Sequence, residues 1–261
     1  MGRFRDMDKK TSPLKDKPLR LAGQSLQEEI NKTINDQALN FILLPVFFIS
    51  LTIYEWIRFL QEITPTLKSI SLLASMAIIV SILCIFKLIK LRKKVKNMRL
   101  GVDGEKVVGQ ELEKLRTQGC MVFHDIVGDN FNIDHVVVSD KGIFLVETKT
   151  YSKPNRVNPK VRYEKGQLTI DGLGDMSKII TQVKASSTWL KRTLEESTGK
   201  TFLIKPVILF PGWFVDSPKD SEIWVLEPKQ FPYYISKKKE ILSLENKKLA
   251  AYHLSRYIRA L

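Results

Sequence analysis

Residues 132–149 read NIDHVVVSDKGIFLVETK: two β-branched runs separated by the turn signal Ser139-Asp140-Lys141-Gly142. Runs of this length and composition predict strands over 131–138 and 143–148, paired as a hairpin. Upstream, Cys120 to Ile126 predicts another strand, and Gly128 to Asn130 a turn. Val107, Val108, Leu112 and Leu115 recur at helical spacing, so 102–117 is expected to be an amphipathic helix ending before Gly119. Downstream, 161–163 and 168–170 predict a hairpin around Lys165-Gly166. Met176, Ile179, Ile180, Val183, Leu190 and Leu194 mark a long amphipathic helix. A buried strand over 202–210, a shorter one near Trp224 and C-terminal helices complete an α/β (α+β) order.

The hairpin also carries the chemistry. Side chains two apart in a strand share a face, so Glu147 and Lys149 project together, and a tight turn brings Asp134 alongside. Two carboxylates and an ammonium on one surface are costly unless something binds there. A divalent cation resolves the conflict: carboxylates hold Mg²⁺, which keeps waters and takes further oxygens from phosphate. The lysine then orients or deprotonates the attacking water, or stabilises the developing charge. A structural ion-pair cluster is the alternative use of the same residues, and the bare spacing D-x(12)-E-x-K does not decide between them.

The surrounding residues say more. Gly101-Val102-Asp103-Gly104-Glu105, Asn132-Ile133-Asp134-His135 and Gly142 to Lys149, in that order, resemble the NERD (nuclease-related domain) family over about residues 101–185. The resemblance implies a PD-(D/E)xK-type, restriction-endonuclease-like mixed sheet flanked by helices. It implies that Asp134, Glu147 and Glu105 bind Mg²⁺ or Mn²⁺, with Lys149 and Gln182 completing the catalytic set. Glu105 corresponds to the acidic residue of the first helix, able to ligate metal or orient water, and Gln182 to a glutamine on the second long helix. The family's Asn-Tyr-x-Gly after E-x-K is here Thr150-Tyr151-Ser152-Lys153, which keeps only the tyrosine, so that loop is assigned no role. The partner implied is nucleic acid, DNA before RNA. The rival reading is a non-catalytic module that binds nucleic acid or protein on the same fold.

Other features read as structure. His135 follows Asp134 and faces away from it in a strand, and His124 stands in the same relation to Asp125; both are expected to pack. Ser197 to Thr201 ends in GKT, but Leu194 stands where a phosphate loop needs Gly, and a helix precedes it; a helix C-cap is expected. Trp213 and Phe214 fall in an expected loop, where packing on the sheet is favoured over base stacking. Lys237 to Lys239 are read as a solvated helix face. Cys84 and Cys120 form no zinc-ligand or disulfide pattern.

Before the domain lie two charge-free runs, Ala38 to Tyr54 and Ser69 to Phe86. With their flanks they predict transmembrane helices over about 38–58 and 69–90. Residues 1–37 form a polar tail, in which Leu26, Ile30 and Ile34 predict an amphipathic helix at the membrane surface. Residues 92–100 are expected to be a basic linker and 101–261 the nuclease-like domain. Net charge is +14, divided as +2 over 1–37, +7 over 38–100 and +5 over 101–261. Half of the excess therefore flanks the apolar runs, where it serves topology and anionic lipid headgroups near 87–99 rather than nucleic acid. Seven Lys or Arg in 87–99 and eight in the tail, against a nearly uncharged connector, predict a multi-pass protein of the cell membrane with both termini cytoplasmic.

Overall fold

Apolar residues lie on both faces of strands β1 (Met121–Val127) and β2 (Asn132–Ser139), and β3 (Gly142–Thr148) is buried along its whole length. A strand apolar on both faces belongs in the middle of a covered sheet. The computed structural model, which describes residues 17–61, 66–128, 131–154 and 159–260, places β3 there. The five-stranded sheet has the order β1-β2-β3-β7-β9, with β7 (Ile204–Leu209) and β9 (Trp224–Leu226). β1, β2 and β3 pair antiparallel; β3, β7 and β9 pair parallel. One face, carrying Val136, Val138, Ile143 and Leu145, packs on α4 (Lys178–Thr198) and α6 (Leu244–Ala260). The other, carrying Val137, Phe144 and Val146, packs on the end of α3 (Leu67–Glu113), a 3₁₀ turn (Lys114–Gln118) and α5 (Phe231–Ser236). The expected mixed sheet flanked by helices is therefore present.

A second sheet, β6-β5-β4-β8, contains the expected hairpin as β4 (Lys160–Glu164) and β5 (Gln167–Ile170), plus β6 (Gly174–Asp175) and β8 (Phe214–Asp216). Phe214 was expected in a loop; instead it opens β8, parallel to β4, because Trp213 beside it is buried and fixes the chain there. Gly199 ends α4 in the left-handed conformation at φ 68°, so the GKT triplet is a helix cap.

The N-terminal region is two long helices. α1 (Gln24–Thr33) continues through a π-helical segment (Ile34–Ala38) into α2 (Leu39–Leu60), which runs through Pro45 unbroken. α2 and the first half of α3 are each long and apolar enough to cross a membrane. Phe47, Ile78 and Phe86 are among their large apolar side chains more than 60% exposed, so the helices are not buried within the protein. Two expectations change here. Residues 92–100 are not a separate linker: α3 runs 47 residues, about 70 Å at 1.5 Å per residue, straight into the domain. Nothing in 92–100 breaks a helix, and Val95 and Met98 have a partner to pack on. That partner is α1 with the π-helical segment after it: Leu26, Ile30 and Ile34, expected at the membrane surface, have their apolar face covered by Leu91, Val95 and Val102 of α3.

Candidate active site

The site forms where β2 and β3 run toward α4. His135 pairs with Val146, and one step further Asp134 stands across from Glu147. Both share the face of Ile143 and Leu145, beneath α4, which supplies Gln182. Lys149 follows the end of β3, its backbone N–H donating to Leu209 O at 2.9 Å.

Glu147 is 2% exposed. Its Oε1 accepts from Lys149 Nζ at 2.6 Å and from Gln182 Nε2 at 3.0 Å. Its Oε2 is buried and meets no hydrogen-bond partner among the described residues. A buried carboxylate oxygen without a donor is costly, and it points to a ligand. Asp134 Oδ2 accepts the Thr148 N–H at 2.6 Å. Burial first, then the charges of Glu147 and Glu105, push the Asp134 carboxyl well above the usual range, against Lys149 and that N–H. Burial would lower Lys149, but the Glu147 ion pair outweighs it and raises the ammonium.

Glu105 approaches from α3. Burial, then Asp125 and Glu147, push its carboxyl up to about 7, despite Lys149 and a hydrogen bond from the Gly23 backbone. The approach depends on Gly104. A Cβ there would stand 1.7 Å from Thr150 Oγ1 and 2.7 Å from Thr150 Cβ, so only glycine lets α3 pass this close to the end of β3. The structure therefore gathers Glu105, Asp134, Glu147, Lys149 and Gln182 in one place.

Sequence reasoning missed a fourth carboxylate. Asp125 lies in β1 between the pairs His124–His135 and Ile126–Ile133, opposite Asp134, with φ at 52°. It is 2% exposed and accepts from Arg20 Nε at 2.5 Å, Ser25 N at 3.0 Å and Ser25 Oγ at 2.8 Å. The segment Arg20 to Ser25, at the start of α1, thus clamps the edge of the site. The available signal was an acid inside the largely apolar strand VFHDIV. The histidines pack on the far face, as their spacing implied. Glu113 Oε1 meets His124 Nε2 at 2.8 Å, His124 Nδ1 meets His135 Nδ1 at 2.8 Å, and His135 Nε2 meets Thr148 Oγ1 at 3.3 Å. Neutral rings satisfy the whole chain when His124 donates to Glu113, His135 to His124, and Thr148 to His135. Burial lowers both imidazoles, consistent with neutral rings. Trp213 is buried; Lys237, Lys238 and Lys239 are exposed, as expected, but follow the end of α5 rather than lying on it, with Lys237 over the Tyr233 ring and Lys238 over the Trp224 ring.

Among the described residues no three His, Cys, Asp or Glu side chains form a preformed metal cage. A magnesium site does not require one, since Mg²⁺ is commonly held by one or two carboxylates with water and substrate phosphate. The oxygen-only donors, the orphaned Glu147 Oε2 and the mutual repulsion of Asp134, Glu147 and Glu105 fit such an ion.

Residues 100–211 match the model of the nuclease-related domain family, NERD. The match contains all five gathered residues and extends beyond the expected 101–185 to include β7. An uncharacterized protein of Bacillus anthracis is 41% identical over 56 residues, which cover 20% of this chain and 26% of that relative. No solved structure matches the chain.

Proposed function

We propose that the protein is a membrane-anchored, Mg²⁺- or Mn²⁺-dependent nuclease that hydrolyses phosphodiester bonds in nucleic acid, DNA foremost. The observation that carries this reading is Glu147 Oε2, buried and unpartnered beside Asp134 while the other oxygen is pinned by Lys149 and Gln182. Asp134 and Glu147 would hold the ion, and Glu105, whose charge is felt by Asp134 and which itself feels Glu147, would act on its water. When bound, the metal supplies Lewis-acid polarisation of a phosphate oxygen and acidifies water. Lys149, kept protonated by Glu147, serves as a cation for the charge that develops on phosphate, not as a base. Glu105, poised near 7, is the group suited to take the water's proton. Gln182 orients the Glu147 carboxylate through the 3.0 Å bond. The exposed apolar surfaces of α2 and α3 support a bilayer around them, and the basic flanks support an orientation with both termini cytoplasmic.

A recruitment module on the same fold is the second reading. It is favoured by the 2.6 Å Lys149–Glu147 ion pair, which partly neutralises the site without metal. Incubating the purified full chain with DNA and RNA in Mg²⁺, Mn²⁺ or EDTA separates the two. The nuclease reading expects metal-dependent cleavage that is abolished in Glu147→Gln and Asp134→Asn, and lowered about 10²–10⁴-fold in Lys149→Ala. Binding of nucleic acid without cleavage in any metal would establish the recruitment module instead.

A further inference from the structure

Where α1 passes into α2, a groove of about 650 Å³ opens against α3. Ile34, Ala38 and Ile42 form one wall at i, i+4 and i+8, and Ile85 and Ile89 form the other. At the cytoplasmic end stand Arg92, Lys96 and Arg99, spaced along one face of α3. No acidic residue lines the groove. Among the described residues none of these three cations has an ion-pair partner, whereas neighbouring Lys94 faces Glu29 at 3.9 Å. The wall on the first helix includes the π-helical segment Ile34–Ala38, an arrangement that concentrates at functional sites.

We propose that this groove binds one anionic glycerophospholipid, with an acyl chain along Ile42, Ile85 and Ile89 and the phosphate on Arg92 and Lys96, rimmed by Arg99. The proposal rests on the membrane reading above. Geometry and charge agree. The charge-free run of α3 ends at Phe86, and Arg92 lies six residues on, about 9 Å along the axis, at the depth of the headgroups. Long basic side chains reach along the helix toward that layer while their stems stay on apolar surface. An apolar slot that becomes cationic at one end matches the polarity of such a lipid. A soluble anion would leave the slot empty, and an apolar helix of a second copy would leave the cations unpaired.

The test uses the full chain, purified in mild detergent and supplied with equimolar phosphatidylglycerol and phosphatidylcholine, with retained lipid counted by native mass spectrometry. One phosphatidylglycerol per chain, held in preference to phosphatidylcholine, is expected. Arg92→Gln/Lys96→Gln should weaken retention about tenfold or more, while Lys90→Gln/Lys93→Gln, with the same net charge, should leave it unchanged. Ala38→Phe, which narrows the slot without touching a charge, should also displace the lipid. Equal loss in both double variants, equal retention of the two lipids, or a dimer cross-linked through the groove would overturn the proposal. Carbonate extraction separates the two levels. A chain released as soluble protein overturns both the membrane reading and the groove, whereas a chain that stays in the membrane but retains no phosphatidylglycerol overturns the groove alone.

Discussion

Glu105 shows how a residue's environment sets its chemistry. Burial and the nearby Asp125 and Glu147 hold its carboxyl near 7 in the folded protein, against an ordinary value of 4.5. The folded state therefore keeps a proton that the unfolded chain releases. The stability linked to that proton is fully present below about pH 4.5 and lost as pH rises through 7. His124 and His135, both lowered, act oppositely: the unfolded chain takes their protons below about 6.5 and the folded chain resists, so stability also falls toward acid. A metal-free stability maximum between these limits is expected. Glu105→Gln isolates the carboxyl. In denaturant titrations with EDTA it should match the parent near pH 4.5 and exceed it at pH 8, by at most on the order of 3 kcal/mol. A constant difference across pH would show that Glu105 does not titrate in that range. In the nuclease assay, the parent rate should rise through about pH 7 and Glu105→Gln should lose that limb.

At the scale of elements, two contacts hold the helices against the sheet. α3 crosses the end of β3 at Gly104, with Thr150 in the space a Cβ would need. Gly104→Ala should destabilise by about 1–3 kcal/mol through overpacking and withdraw Glu105 from Glu147. Adding Thr150→Gly, which removes the clashing Cβ, should recover part of the loss in thermal melts; no recovery would place the cost elsewhere. The second contact joins the segment just before α1 to β1 through Arg20 and Asp125, whose side chains are 19% and 3% exposed. Arg20→Ala leaves a buried carboxylate with Ser25 alone as donor, and should cost roughly 2–3 kcal/mol. The double variant Arg20→Ala/Asp125→Asn should be less affected than the sum of its parts, measured as a double-mutant cycle. A fragment starting at residue 101 loses the same clamp, along with the packing of Leu26 and Ile30 on α3, and should melt below the full chain.

At the scale of the whole molecule, one helix links the proposed membrane anchor to the nuclease-related domain. Because α3 is continuous from Leu67 to Glu113, the proposed anchor and Glu105 belong to one rigid element. The two natural cysteines, Cys84 and Cys120, are buried, so introduced cysteines report topology against a low background. In intact cells, a membrane-impermeant thiol reagent should label Gln61→Cys, at the tip of the hairpin, and leave Asp220→Cys unlabelled until the membrane is opened. Labelling of Asp220→Cys from outside would reverse the orientation and remove the domain from cytoplasmic nucleic acid.

The order of strands and helices, both apolar spans, and Asp134, Glu147 and Lys149 were legible because each depends on periodicity or on spacing within one hairpin. Glu105 and Gln182 came from the family resemblance, since nothing local ties a carboxylate at 105 to a strand ending at 148. Asp125 was visible as an acid in an apolar strand, but its role was not, because its partners Arg20 and Ser25 lie about a hundred residues away. The same limit explains the linker. Residues 92–100 look like a solvated basic connector in one dimension, and only the packing of α1 along Leu91 and Val95 reveals a helix with a buried side. Local sequence determined which elements form and which faces are apolar, through backbone geometry and burial. The tertiary structure alone decided which distant charges meet, because in a low-dielectric site a carboxylate's chemistry is set by whatever the fold places beside it.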